Sequence, residues 1–147
     1  EPQALEILGL AHALDSFCNR MINNKQVKIN FKTAGNGQAV DKQKALNVYR
    51  VVQELINNIL KHAQAREILI TYQTTPTLLT VNVEDDGNGA LLTSLADSRK
   101  KTGSLGLKNI ESRLNIIGGN ITFTPRMPTG TIASIGVENY QLPTQNS

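Results

Sequence analysis

The sequence predicts an α/β fold in which three main helices pack on one face of a mixed, mostly antiparallel sheet of about five strands. Two observations support this prediction. Segments whose apolar residues recur every three or four positions alternate along the chain with segments in which apolar and polar residues alternate strictly. The length of 147 residues, with 39% hydrophobic and 18% charged residues, fits a single globular domain.

The first half of the chain contains two amphipathic helices with a strand between them. Apolar residues at spacings of three and four predict a helix from about Ala4 to Ile22. Alternating residues 27–31 predict a strand that ends at an Ala-Gly-Asn-Gly turn. A continuous apolar stripe then predicts a long helix from Asp41 to Ala63, with Asp41 as its N-cap.

The second half contains four strands and a helix. Strands from Glu67 to Gln73 and from Leu78 to Asp85 flank a Thr-Thr-Pro-Thr turn and should form a hairpin. A helix from Leu107 to Ile117 should stop at the Gly-Gly pair that follows it. The last two strands begin at Ile121 and at Thr131, with a turn from Pro125 to Gly130 between them.

The remaining segments set the domain boundaries. Residues 1–142 should form one domain with 1–24 as a leading helix, and residues 143–147 a disordered tail. Residues 90–105 are small, polar and charged with weak periodicity, which indicates a mobile lid. The chain begins at Glu1 without a methionine, which suggests a fragment of a longer protein.

Composition excludes some classes of function. The net charge of +3 allows nucleic-acid binding, but the basic residues are scattered and their one run, Arg99–Lys101, is interpreted as a solvated loop. Cys18 has no partner for a disulfide, as expected in the reducing cytoplasm, and His12 and His62 are too few for a metal site. No apolar run approaches the roughly 18 residues of a membrane span, so we expect a soluble chain.

The strand from Leu78 to Asp85 runs into an acidic, glycine-rich turn. Strict alternation places its two valines and Asp85 on the same face, which is the core side. A carboxylate there is costly unless a donor reaches it, and Gly87 and Gly89 allow a backbone to approach a ligand closely. The turn therefore predicts a ligand site, with Asp86 as an exposed turn residue.

Polar residues of the long helix form a second motif. Glu54, Asn58 and Lys61 fall within about 60° of one another, roughly opposite the apolar stripe. The row can be the solvated face of any amphipathic helix, which is the more frequent case. It can also be a site where the carboxylate takes a proton, the amide oxygen coordinates Mg²⁺ and the ammonium holds phosphate.

A third motif places Gly103 and Gly106 directly before a helix. Free N–H groups at a helix N-terminus bind phosphate, although the glycines can equally cap and hinge the helix. The segment is neither a Walker A loop, which needs Gly-Lys-Ser/Thr, nor a dinucleotide fingerprint, which needs a preceding strand.

In this order the three motifs resemble the N, G1 and G2 boxes of the histidine-kinase ATP-binding domain, the Bergerat fold shared with gyrase, Hsp90 and MutL. The resemblance covers nearly the whole chain. Gln53-Glu54 with Lys61-His62-Ala63, and the segment Gly106–Leu114, are similar to the subfamily that includes the nitrate and membrane-fluidity sensors. Residues 128–131, Pro-Thr-Gly-Thr, are similar to the terminal glycine-threonine box.

The resemblance implies a role for each residue. Asp85 would accept from the adenine amine, Asn58 would ligate Mg²⁺, Lys61 would contact phosphate, and Glu54 would act as base or orienter for the attacking histidine. His62 would line the pocket or contact phosphate. The other residues implied in ATP binding are Gly87, Gly89, Gly103, Ser104, Leu105, Gly106, Leu107 and Thr131.

Two departures from the family pattern stand out. Thr102 and Ser104 occupy positions that are often glycine, so the phosphate end of the lid should be less tight. No phosphoacceptor segment is present either, and His12 lies on the leading helix, which is the wrong place for the acceptor.

The resemblance implies the ATP-binding catalytic domain of a bacterial two-component sensor histidine kinase. Its cofactors would be ATP and Mg²⁺, and the γ-phosphoryl would pass to a histidine on a dimerisation domain. The expected partners are that domain and a response regulator, in a homodimeric cytoplasmic or membrane-anchored parent, with no nucleic acid and no membrane contact by this chain. Two alternatives stay open: a serine kinase of the anti-sigma type or conformational ATPase with the same fold, and a non-enzymatic basic module that binds nucleic acid or protein.

Overall fold

The computed structural model describes residue 5 and residues 9–22, 26–35, 37–93 and 106–140. In chain order they form helix α1 (Leu10–Ile22), strand β1 (Lys28–Gly35), helix α2 (Lys42–Asn58), strands β2 (Glu67–Thr74) and β3 (Leu78–Asp85), helix α3 (Leu107–Ile116), and strands β4 (Asn120–Pro125) and β5 (Thr131–Glu138). A π-helical turn, Ile59–Ala63, continues α2. None of the described helices is long and apolar enough to cross a bilayer.

The five strands form one sheet in the order β1-β2-β3-β5-β4. The pair β1 and β2 is parallel because α2 forms the crossover between them, and the other three pairs are antiparallel. Buried residues alternate with partly exposed ones along β2, β3 and β5. The helices therefore cover one face, and the predicted α/β architecture is confirmed.

Helix α2 forms the centre of the core, and its predicted apolar stripe is fully buried. The side chain of Asp41 caps this helix by accepting from the backbone N–H groups of Gln43 and Lys44, as predicted. Phe17 of α1 packs edge-on against Tyr49 of α2, with ring centroids 6.2 Å apart. The cap and the stripe fix where α2 begins and which side it buries, and so fix where its C-terminal end meets the sheet.

Two helix boundaries show the effect of glycine. Helix α1 begins at Leu10, because Gly9 has a φ of 86° that interrupts the helix predicted from about Ala4. Leu5, before this interruption, is also helical. Helix α3 ends as predicted: Gly118 has a φ of 65°, and the Gly119 N–H donates to the Leu114 carbonyl at 2.8 Å. Most of the predicted lid, including the run Arg99–Lys101, and the predicted tail lie outside the described residues.

Candidate functional site

Strand β3 carries Asp85 into the core layer, as predicted. The residue is only 1% exposed. Its Oδ1 accepts from the Gly87 N–H at 2.8 Å, while its buried Oδ2 has no hydrogen-bond partner among the described residues. Burial raises the pKa of Asp85, against the lowering effect of the Gly87 hydrogen bond. A buried carboxylate oxygen without a donor is costly, which indicates that a ligand supplies the donor.

Thr131, at the start of β5, lies directly opposite Asp85 in the sheet. It is fully buried, and its Oγ1 has no partner within the described part of the chain. Gly130 precedes it, and a Cβ atom there would collide with the backbone oxygen of Asp85. Two residues that each have an unsatisfied polar atom are therefore cross-strand neighbours at one end of the sheet, on the face that the helices cover.

Asp86 is partly exposed, but it has a structural role beyond the exposed turn residue that the sequence predicted. Its Oδ1 accepts from the backbone N–H groups of Arg66 and Glu67 at 2.8 and 3.0 Å. Burial opposes ionisation here, but these hydrogen bonds and the nearby Arg126 outweigh it, so the pKa of Asp86 is lowered. Asp86 holds the start of β2 against the end of β3 and has a structural role.

The turn after β3 is attached to the π turn that ends α2. Asn88 donates its backbone N–H to the Ala63 carbonyl at 2.8 Å and its Nδ2 to the His62 carbonyl at 3.1 Å. Its Oδ1 accepts from the Ala90 N–H at 3.0 Å. A Cβ atom at Gly87 would collide with the Ala63 carbonyl, so only glycine fits this contact. These bonds bring the first two sequence motifs together.

The polar row of α2 is not a solvated face. Glu54 is half-buried, Asn58 is buried at 7% exposure, and only Lys61 is exposed. Asn58 is buried although helix angles place it roughly opposite the apolar stripe, because those angles take no account of the segments that pack on that side. Gly106, with a φ of 65°, lies so close to Glu54 that a Cβ atom would collide with Glu54 Oε1. This contact brings the glycine motif before α3 next to the polar row of α2.

The other predicted residues divide into three groups. The side chains of Lys61 and His62 are exposed, and Gly89 adopts a φ of 78° in the turn after β3. Leu107 is buried in the core at the start of α3, so its contact with nucleotide stays a prediction. Three predicted residues lie outside the described part of the chain: Gly103, Ser104 and Leu105.

Sequence reasoning missed Asn88, the structural role of Asp86, and two arginines, Arg50 and Arg113, that line a cleft between α2 and α3. The sequence Asp-Gly-Asn-Gly could have indicated the role of Asn88. The side-chain oxygen of an asparagine in a turn before a helix commonly accepts from the backbone N–H two residues later. The backbone donors to Asp86 come from a strand that lies 20 residues earlier in the chain, and no local pattern reveals them.

Residues 43–141 match the family model described as histidine kinase-, DNA gyrase B- and HSP90-like ATPase. The chain is 28% identical over 134 residues to the signal transduction histidine-protein kinase/phosphatase DegS of Brevibacillus brevis, covering 91% of this chain and 33% of that protein. It is 31% identical over 136 residues to the oxygen sensor histidine kinase NreB of Staphylococcus carnosus, covering 92% of this chain and 38% of that protein.

A solved histidine kinase domain has the same fold. The domain from the blue-light activated histidine kinase EL346 of Erythrobacter litoralis superposes with a TM-score of 0.66 at 23% identity. The alignment covers 92% of this chain and 68% of that one. At this identity the likeness establishes the fold. The curated relatives are about three times as long as the part that this chain matches.

Proposed function

Because the chain belongs to the family of histidine kinase-, DNA gyrase B- and HSP90-like ATPases, we propose that it is the ATP-binding catalytic domain of a sensor histidine kinase. The domain binds Mg-ATP and transfers the γ-phosphoryl to a histidine on a separate dimerisation domain. We assign residues 1–142 to it, with 1–24 as leading helix, 90–105 as lid and 143–147 as tail.

One observation carries the ATP assignment. Asp85 and Thr131 are neighbours on adjacent strands, and Asp85 Oδ2 and Thr131 Oγ1 are both buried without a hydrogen-bond partner among the described residues. The adenine exocyclic amine is a donor where guanine presents a carbonyl acceptor, so a buried carboxylate favours adenine and disfavours guanine. A hydroxyl beside it can donate to a ring nitrogen.

The phosphates would extend from this end of the sheet along the C-terminal end of α2. Asn58 lies buried on the way, and its amide oxygen suits a hard cation such as Mg²⁺. The exposed Lys61 ammonium can move to contact a phosphate oxygen as a compact charge. Bound Mg²⁺ would neutralise charge on the phosphates during transfer.

Glu54 lies beyond Asn58 and touches the start of α3 through Gly106. A Cβ atom at Gly106 would collide with this carboxylate, so glycine is needed for Glu54 to lie here. From this place Glu54 can orient the attacking histidine or take its proton as phosphate is transferred. The neighbouring glycines, Gly103 among them, would supply N–H groups to phosphate as the lid closes and excludes water.

The acceptor histidine, the dimerisation domain and a response regulator belong to the parent kinase in this proposal, because the chain spans only a third or so of its relatives. A homodimeric parent would present each acceptor to a catalytic domain. The domain would work in the cytoplasm of a bacterial cell, where ATP is available and the free, buried Cys18 remains reduced.

Calorimetric titration of this chain with Mg-ATP, with Mg-GTP as control, tests the nucleotide assignment. We expect ATP to bind and GTP to bind at least tenfold more weakly. The parent kinase incubated with Mg-ATP should form an acid-labile, alkali-stable phosphate, which is typical of phosphohistidine. An acid-stable phosphoserine would instead support a serine kinase of this fold, and equal binding of both nucleotides would contradict the role of Asp85.

A further inference from the structure

A polar cleft lies between α2 and α3, next to the proposed catalytic residue. Its volume is about 270 Å³. Six of its lining side chains are polar or charged: Arg50, Gln53, Glu54 and Asn57 from α2, with Asn109 and Arg113 from α3. Such a concentration of polar groups between two packed helices is unusual, because helices normally bury apolar residues where they meet.

The charges of the cleft favour one anionic group. Two guanidinium groups face one carboxylate, Glu54, which leaves a formal charge of +1. Arg50 is fixed by a 3.0 Å hydrogen bond to Gln53 Oε1, and both arginines are half-buried. Neither forms an ion pair with another residue in the described ranges. A planar guanidinium pairs best with a carboxylate, through two parallel hydrogen bonds.

The position of the cleft argues against the nucleotide as its natural occupant. Arg50 precedes Glu54 by one turn of α2, about 6 Å along the helix axis. Asn58 follows Glu54 by one turn in the opposite direction, toward the adenine end at Asp85. In the proposed function a γ-phosphate therefore approaches Glu54 from the side of Asn58, whereas Arg50 lies on the other side of Glu54, where we expect the acceptor to arrive.

We propose that this cleft binds an acidic side chain of the domain that presents the phosphate acceptor, and so aligns the acceptor with Glu54. The inference rests on the proposed function and adds a residue-level docking contact to it. A single carboxylate matches the single net positive charge, whereas a phosphate with nearly two charges would leave an excess of negative charge beside Glu54. Arg50 and Arg113 are docking residues in this proposal and do not touch the reacting atoms.

The test compares autophosphorylation of the parent kinase with that of its Arg113→Gln variant, which keeps a hydrogen-bonding side chain and removes the charge. At saturating Mg-ATP we expect the rate to fall about tenfold, as for loss of a half-buried ion pair. The KM for ATP should stay at the parent value. Arg50→Gln should behave in the same way, and unchanged ATP binding shows that each variant is folded.

Lys32→Gln is the matched control, because Lys32 is exposed on the edge strand β1 and the change removes the same charge. It should leave the rate unchanged. The autophosphorylation rate of Arg113→Glu should be restored when the acidic residue nearest the acceptor histidine is changed to lysine. Equal rates for Arg113→Gln and Lys32→Gln, or weaker ATP binding by Arg113→Gln, would overturn the inference. If the proposed function were wrong, the unaltered parent would not bind Mg-ATP. That result differs from the two above and would also remove the basis of the inference.

Discussion

Replacement of Asp85 by asparagine should weaken ATP binding and stabilise the fold at the same time. The change keeps the shape of the side chain and the acceptor for the Gly87 N–H. It replaces the unpaired Oδ2 with an NH₂ group, which would face the donor of the adenine amine. The site loses a hydrogen bond to a charged acceptor, worth about 1.5–3 kcal/mol, so the Kd for ATP should rise about 10- to 150-fold.

The stability effect follows from the raised pKa of Asp85, which burial causes. The folded chain holds this proton more tightly than the unfolded chain does. The contribution of Asp85 to the free energy of unfolding is therefore present below the unfolded pKa and is lost as the pH rises through the folded pKa. Asparagine cannot ionise, so Asp85→Asn should melt at a higher temperature than the parent at neutral pH, by a margin that shrinks toward acid pH.

The assay combines calorimetric titration with Mg-ATP and Mg-GTP and thermal unfolding followed by circular dichroism. Asp86→Asn is the matched control, since it removes the same charge one residue away. It weakens two backbone hydrogen bonds of the ionised form, so Asp86→Asn should melt at a lower temperature and keep its ATP affinity. Unchanged ATP affinity in Asp85→Asn, or a melting temperature below that of the parent at neutral pH, would refute the reasoning.

Three further predictions concern buried groups. Thr131→Val removes a hydroxyl that has no partner among the described residues, so the free energy of unfolding should not fall, while calorimetry should show an ATP Kd about 2- to 10-fold higher. Gly87→Ala forces a Cβ atom against the Ala63 carbonyl and should cost about 1–3 kcal/mol in chemical denaturation; a stability equal to the parent would contradict the contact. Burial raises the pKa of Cys18 to about 12, so an aromatic disulfide reagent should label it only as fast as the chain unfolds, and rapid labelling of folded protein would contradict its burial.

Periodicity was sufficient to predict most of the fold. The apolar stripe of α2 and the alternation of β3 each predict which side of the element is buried. Both predictions are correct, including the inward direction of Asp85. Glycine positions were less reliable guides to boundaries. Gly118 ends a helix as predicted, whereas Gly9 interrupts a segment whose apolar spacing alone predicts a continuous helix.

Contacts between distant segments limited prediction of the site. The role of Asp86 depends on N–H groups at and just before the start of β2, and the burial of Asn58 depends on neighbours outside its own helix. Helical geometry also assumes a regular pitch, and the π turn after Asn58 changes the direction of Lys61 relative to Glu54. The cleft of Arg50 and Arg113 joins residues from two helices, which no single motif contains.

The attachment of Asn88 to the π turn has a consequence for local unfolding. A helix normally leaves its last carbonyls without intrahelical donors, and here Asn88 supplies donors to those of His62 and Ala63. The end of α2 and the turn after β3 therefore cannot open separately without breaking these bonds. In native-state hydrogen exchange, the amide of Asn88 should exchange together with those of the π turn, as one cooperative unit.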